Sequence, residues 1–111
     1  MPLSLRYRIN EGITVHENTE EGGQISVEVI VRNIDLFPEG VNVNFELRNL
    51  DGSRSLSLTE DQRYDVTPLC TLKVPRDPLR IERVFLTFIA PRVVVFSNRR
   101  MYSPEKNILF K

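Results

Sequence analysis

The chain has 111 residues, of which 41% are hydrophobic and 27% charged, and this balance excludes a disordered chain. Fifteen Lys and Arg residues offset fifteen Asp and Glu residues, which argues against a general nucleic-acid binder. Ala90 is the only alanine, so helix bundles and helical repeats are excluded as well. We expect one domain over residues 1–111, built from strands.

Two stretches in the middle of the chain alternate apolar and polar residues. Their apolar members are Ile25, Val27, Val29 and Val31 in residues 24–34, and Val41, Val43, Phe45 and Leu47 in residues 41–50. Because successive side chains of a strand point to opposite faces, each stretch predicts a strand with one apolar and one polar face. The residues between them, 35–40, predict either a hairpin or a short crossover between two sheets.

Weaker strand signals flank this central pair. They lie at residues 3–9 with an extension through Ile13 and Val15, at residues 56–58, at residues 64–74, at residues 92–97 and at residues 107–110. Gly12 predicts a kink in the first of these strands. Pro68 interrupts the alternation of residues 64–74, and a proline inside a strand predicts an edge or a bulge. A polar turn is expected at residues 98–100.

Residues 79–90 fit both a helix and a strand. A strand is favoured by the β-branched and aromatic residues of this segment and by Pro78 and Pro91, which flank it. At most one helical turn is expected, near residues 78–83. The whole pattern predicts an all-β, antiparallel β-sandwich of about seven to nine strands, either immunoglobulin-like or a jelly roll. The sequence has no tryptophan and one cysteine, so it lacks the Cys–Trp–Cys core of true immunoglobulin domains.

The same composition bears on the compartment. The single cysteine, Cys70, cannot form an internal disulfide, which fits a reducing environment. The N-terminal residues lack the apolar run of a signal peptide, and no apolar stretch approaches the length that crosses a bilayer. We expect a cytoplasmic protein, or a virion protein if the source is viral, with no membrane partner.

Residues that carry chemistry are few. His16 is the only histidine, and its neighbours show no nucleophile elbow; together with Cys70 it falls short of a zinc ligand set. Cys70 is expected to be a buried small hydrophobe. Two acidic groups, Glu17/Glu20/Glu21 and Glu60/Asp61/Asp65, lack the spacing of a calcium loop and are expected to be solvated. We therefore predict no enzyme, no catalytic residues, no metal and no cofactor.

One short basic segment is a candidate contact site. Arg99 and Arg100 are followed closely by Tyr102, and guanidinium groups beside an aromatic ring suit a partner surface. Two arginines and one ring are weak support for a nucleic-acid site. We predict that these three residues contact a protein partner.

Charge is unevenly spread along the chain. Residues 9–65 carry twelve acids against four arginines, and residues 66–111 carry nine bases against three acids. If these segments lie apart in the fold, an acidic surface of one copy suits a basic surface of the next; if their strands interleave, the charges cancel. Twelve of the fifteen bases are arginine, which is enriched at protein interfaces.

These observations favour a non-catalytic structural or protein–protein interaction module, able to associate with copies of itself. A component of a virus or phage particle, such as a capsid decoration, neck or tail protein, is one form of this hypothesis. The alternative is a β domain that binds a small ligand or carbohydrate. Such sites use exposed Trp or Tyr platforms, and the chain offers only Tyr7, Tyr64 and Tyr102.

Overall fold

The computed structural model describes residues 2–80 and 83–103. The strands, in chain order, are β1 Pro2–Tyr7, β2 Glu11–Asn18, β3 Gln24–Phe37, β4 Gly40–Asn49, β5 Gly52–Thr59, β6 Arg63–Thr67, β7 Cys70–Lys73, β8 Leu79–Arg80, β9 Arg83–Ile89 and β10 Val94–Met101. Among the described residues, nine of these strands have four residues or more, and β8 has two. The described part contains no helix, and so none that could cross a membrane.

The strands form two antiparallel sheets. Sheet A has the order β1-β9-β7-β6, with β8 also paired to β9, and sheet B has the order β10-β2-β3-β4-β5. The principal dimensions of 44 × 38 × 19 Å leave a thin axis that accommodates two layers about 10 Å apart. The predicted all-β antiparallel sandwich is confirmed.

The alternating side chains meet between the two sheets. Core residues supplied by sheet B are Ile13, Val15, Val27, Val29, Val31, Val43, Phe45, Leu47, Leu58 and Val94, and those supplied by sheet A are Tyr7, Val66, Cys70, Leu72, Val74, Val84, Leu86 and Phe88. The ring of Phe88 packs against Tyr7 and against Phe96 of the other sheet, with centroids 6.3 and 5.4 Å apart. The period-two pattern therefore specified the core, because only one face of each strand escapes water.

The predicted central pair is a hairpin and not a crossover. β3 pairs with β4 from Glu28↔Arg48 to Phe37↔Gly40, with one irregularity between Val31 and Asn33. Residues 79–89 are extended where they are described, as β8 and β9, which confirms the preference for strand over helix. Residues 81–82, where a helical turn was considered, and the predicted strand at residues 107–110 lie outside the described residues.

Three details differ from the predictions. The first strand breaks at Asn10 (φ 71°) and not at Gly12, because the chain passes there from sheet A to sheet B. Pro68 lies in the turn of the β6–β7 hairpin and not inside a single strand, although β6 is an edge strand with a bulge between Asp65 and Thr67, as the proline predicted. The expected turn at residues 98–100 lies inside β10, as a bulge between Ser97 and Arg100.

The path of the chain sorts the two charged segments. Strands β2–β5, from the acid-rich segment, are neighbours in sheet B, whereas β7–β9, from the base-rich segment, join β1 in sheet A. There are two exceptions: β6, which begins in the acid-rich segment, joins sheet A, and β10 returns to sheet B and brings Arg99 and Arg100 with it. The segments therefore lie largely apart, with one basic strand crossing over.

Candidate functional site

Tyr102 follows β10 and lies on the outer face of sheet B. Its hydroxyl donates to Oε2 of Glu28 at 2.7 Å, and Nη2 of Arg100 donates to the same oxygen at 3.1 Å. The guanidinium groups of Arg100 and Arg48 stand 4.5 and 5.5 Å from the ring centroid. The Tyr102 side chain is buried. It is therefore a fixed part of the sheet surface and not a free stacking platform.

The neighbouring arginines on this face are also paired with carboxylates. Glu46 accepts from Nε of Arg32 at 2.8 Å and from Nε of Arg48 at 2.7 Å. The hydrogen bonds from Arg48 and then Arg32 lower the pKa of the Glu46 carboxyl, against the opposing effect of burial. Arg32 further donates to Asn10 Oδ1 and to the Ser103 carbonyl oxygen, both at 2.8 Å. The outer face of sheet B thus neutralises its own cations.

Arg99 takes a different direction from Arg100. Its Nε donates to Oε2 of Glu11 at 2.9 Å, its Nη2 donates to the carbonyl oxygen of Arg6, and its guanidinium lies over the Tyr7 ring. The bulge in β10, with Asn98 at φ 55°, sends these consecutive side chains to different places. The structure brings Arg100 and Tyr102 together and places Arg99 at the side of the sandwich, against β1.

His16 is held between two serines on the outer face of sheet B. Its Nδ1 lies 2.8 Å from Ser26 Oγ, and its Nε2 lies 2.6 Å from Ser97 Oγ. A neutral imidazole offers one donor and one acceptor, so one serine accepts a hydrogen bond and the other donates. Within the described residues no carboxylate bonds to this ring. The arrangement ties β2 to β3 and β10.

The glutamates that are close in sequence at residues 17–21 do not form one cluster in the structure. Glu17 is buried and accepts at Oε1 from Thr67 Oγ1 at 2.6 Å and from the Leu69 N–H at 2.9 Å, whereas Glu20 and Glu21 are exposed. In residues 2–80 and 83–103, no three His, Cys, Asp or Glu side chains are placed to hold a metal ion. Cys70 is buried as expected, and burial raises the pKa of its thiol to about 12.

The outer face of sheet A carries a second group of cations, which we call the basic face. It consists of Arg6 on β1, Arg83 on β9, Lys73 on β7 and Arg63 on β6, and the partly exposed apolar side chains of Phe85 and Ile89 lie on the same face. None of these four cations forms an ion pair with a described residue. The basic face therefore differs from the outer face of sheet B, where arginines have carboxylate partners.

The register places two of these cations side by side. Lys73 stands directly opposite Arg63 in the β6–β7 ladder, and like charges in that position destabilise a sheet. Asp65, the acid on this face among the described residues, accepts instead from Thr71 Oγ1 at 2.8 Å. Among the described residues, the four cations of the basic face therefore outnumber the one acid on the same face.

Sequence reasoning missed the basic face. Its members occupy polar positions of the alternation in separate strands, and nothing in the local pattern says that those strands are neighbours. The base-rich second segment of the chain was a signal for Lys73 and Arg83 only, because Arg6 and Arg63 lie outside it. No family model, curated protein or solved structure matches the chain.

Proposed function

We propose that this chain is a non-catalytic protein–protein interaction module that associates with copies of itself. The observation that carries the proposal is the contrast between the two outer faces. Sheet B pairs its arginines with glutamates, whereas the basic face of sheet A leaves its four cations unpaired among the described residues. Unpaired charges on a face that also carries partly exposed apolar side chains suit a complementary protein surface.

The same molecule carries unpaired acids. Glu20 and Glu21, in the turn between β2 and β3, are exposed and form no ion pair with a described residue. A contact between unlike surfaces of successive copies is heterologous, and it generates rings or filaments. Repeated contacts of this kind suit a component of a larger particle, which is the form of the hypothesis that includes virus and phage structural proteins.

Self-association can be measured by sedimentation velocity and light scattering over a range of protein concentrations. We expect the mean mass to rise with concentration at low salt and to return to the monomer at high salt, because dissolved ions screen charge pairs. A monomer at every concentration and ionic strength contradicts self-association. Association that is insensitive to salt contradicts its electrostatic basis.

A small-ligand site is the second candidate, and one cavity supports it. Near the tip of the β3–β4 hairpin, a cavity of about 290 Å³ is lined by Phe37, Val41 and Thr59 together with the carboxylates of Glu39 and Glu60. An apolar wall beside two acids suits a small cation with an apolar body. Carbohydrate is less well supported, because Tyr7 and Tyr102 are buried.

A thermal-shift screen with small amines and neutral sugars tests this second candidate. We expect an amine to raise the melting temperature of the wild type and to have a smaller effect on Phe37→Ala. If no amine or sugar changes the melting temperature, the cavity is not a ligand site.

A further inference from the structure

We propose that the basic face of one molecule binds the acidic β2–β3 turn of a second copy, so that Lys73 and Arg63 receive the carboxylates of Glu20 and Glu21. This inference rests on the proposed function and assigns its contact. A second copy of the chain is the expected partner because two surfaces of the same chain carry complementary charges. Each copy presents one acidic surface, the β2–β3 turn, and one basic surface, the basic face. The contact therefore repeats head to tail.

Strand pairing places the cations of the basic face side by side. Lys73 is paired with Arg63 on one side and with Thr87 on the other, so both cations stand on one row of the sheet. Their adjacency costs stability in the isolated molecule, because neither has a carboxylate partner among the described residues. An incoming pair of carboxylates would remove that repulsion and form charge-assisted hydrogen bonds.

The acidic surface is the short β2–β3 turn, whose conformation is fixed by hydrogen bonds within the turn. The Thr19 N–H donates to the Gly23 carbonyl oxygen at 2.8 Å, the Gly22 N–H donates to the Thr19 carbonyl oxygen at 3.1 Å, and the Gly23 N–H donates to Thr19 Oγ1 at 2.9 Å. Gly22 has φ 85°, a conformation that favours glycine. Glu20 and Glu21 therefore project from a backbone that is ordered before a partner binds, which lowers the entropic cost of association.

The two surfaces do not meet within one molecule. Glu20 and Glu21 pair with no cation of the described residues, although the same chain carries four unpaired cations on the basic face. The turn belongs to sheet B and connects β2 to β3, whereas the basic face is the solvent side of sheet A. The complementary charges can therefore combine only between copies.

Features of the basic face favour protein over nucleic acid as the occupant. The partly exposed apolar side chains of Phe85 and Ile89 lie on this face, and Asp65 stands there too, next in register to the Lys73–Arg63 pair. A phosphate backbone gains most from an uninterrupted positive track, and a carboxylate within the track opposes it. A protein loop with two acids can place its carboxylates on the cations and its neighbouring atoms against the apolar side chains.

Charge reversal with rescue is the experiment that tests this contact. The Lys73→Glu/Arg63→Glu variant and the Glu20→Lys/Glu21→Lys variant are each expected to weaken self-association by about tenfold or more, because opposed like charges strongly disfavour a contact. An equimolar mixture of the two variants is expected to associate again, since the reversed surfaces complement each other. Arg8→Glu/Arg92→Glu, which changes the net charge as much as Lys73→Glu/Arg63→Glu at exposed positions outside the four residues of the basic face, is the matched control and is expected to associate like the wild type.

Each other outcome has a definite meaning. Wild-type association that survives both reversals overturns this contact but leaves the interaction module with a different surface. Loss in both variants without recovery in the mixture overturns the pairing of these residues. A wild type that stays monomeric but binds a single-stranded RNA oligonucleotide, with binding abolished by Lys73→Glu/Arg63→Glu, assigns the basic face to nucleic acid and overturns the proposal. If either reversed variant fails to fold, Lys73→Ser/Arg63→Ser or Glu20→Ser/Glu21→Ser takes its place, with loss of association as the expected result and unchanged association as the contrary one.

Discussion

The guanidinium of Arg99 lies 4.6 Å from the centroid of the Tyr7 ring and thereby closes the side of the sandwich between β10 and β1. The opposite side, between β5 and β6, is closed in the same way by Arg54, whose guanidinium lies 5.4 Å from the Tyr64 ring and donates to its hydroxyl. Each lateral opening between the sheets is thus covered by one arginine of sheet B over one tyrosine of sheet A.

The Arg99 contact leads to a prediction about stability. Arg99→Ala removes the cation–π contact with Tyr7, the ion pair with Glu11 and a bond to the Arg6 carbonyl, so we expect the free energy of unfolding to fall by about 1–2 kcal/mol. Urea denaturation measures the change. Arg92→Ala, at an exposed position without an ion pair among the described residues, is the control and should change stability by less than about 0.5 kcal/mol. Equal effects of the two substitutions would contradict a structural role for Arg99.

Alkaline pH is predicted to destabilise the fold. Burial raises the pKa of Tyr7 from 10.0 to about 12 and that of Cys70 from 9.0 to about 12. Between the ordinary pKa of each group and its raised pKa in the fold, the folded state keeps a proton that the unfolded state has lost. The free energy of unfolding is therefore expected to fall as the pH rises from about 9 to about 12, and to be insensitive to these two groups at lower pH.

Tyr7→Phe separates the contribution of the tyrosine. Its hydroxyl is buried without a hydrogen-bond partner among the described residues, so its removal should leave stability at neutral pH unchanged or slightly higher. The decline of stability above pH 10 should become shallower in this variant, as measured by urea titrations at a series of pH values. A loss of more than about 1 kcal/mol at pH 7 would show that the hydroxyl has a partner.

Glu17 connects the two sheets through a buried carboxylate. Glu17→Ala leaves the Thr67 hydroxyl and the Leu69 N–H without their acceptor, and we expect a loss of about 2–3 kcal/mol. Glu17→Gln should lose less, because the amide oxygen can still accept. Glu20→Ala, in the exposed turn of the same hairpin, is the control, with an expected change below about 0.5 kcal/mol. These values come from chemical denaturation, and a Glu17→Ala protein as stable as this control would refute the role.

The central hairpin is tested by truncating its core side chains. Phe45 and Val29 are buried in the shared core, so Phe45→Ala is expected to cost about 3–5 kcal/mol and Val29→Ala about 2 kcal/mol or more. Val95→Ala, on an exposed position of β10, should have little effect. Losses below about 1 kcal/mol at both core positions would mean that the register of β3 and β4 is wrong.

Much of the fold was predictable from local pattern. The apolar members of residues 24–34 and 41–50 face the core as expected, because alternation and burial on one face are the same property of a strand. Pro68 correctly indicated an edge strand with a bulge, whereas the turn predicted at Asn98 is a bulge. A proline or an asparagine indicates an irregularity, but only the partner strand decides whether that irregularity is an edge, a hairpin turn or a bulge.

The predicted contact residues show the same limit. Arg99, Arg100 and Tyr102 are close in sequence, yet the bulge in β10 turns Arg99 toward Tyr7 and leaves Arg100 beside Tyr102 and Glu28. Their suggested role in partner binding stays a prediction. The Arg99 and Tyr102 side chains have partners within the molecule, so the unpaired basic face is the better candidate for an intermolecular contact.

The sequence by itself determined that this protein is an all-β sandwich and which side chains fill its core, because alternation along a strand is a local property. The tertiary structure alone decided which charges meet. Arg63, Lys73 and Arg6 share a surface because β1 and β7 flank β9 and β6 pairs with β7, and Glu28 and Glu46, which pair with arginines, are held in the other sheet. The total charge of the chain is zero, yet the described cations are paired with glutamates on the outer face of sheet B and unpaired on the basic face of sheet A. This difference depends on strand order and register and not on composition.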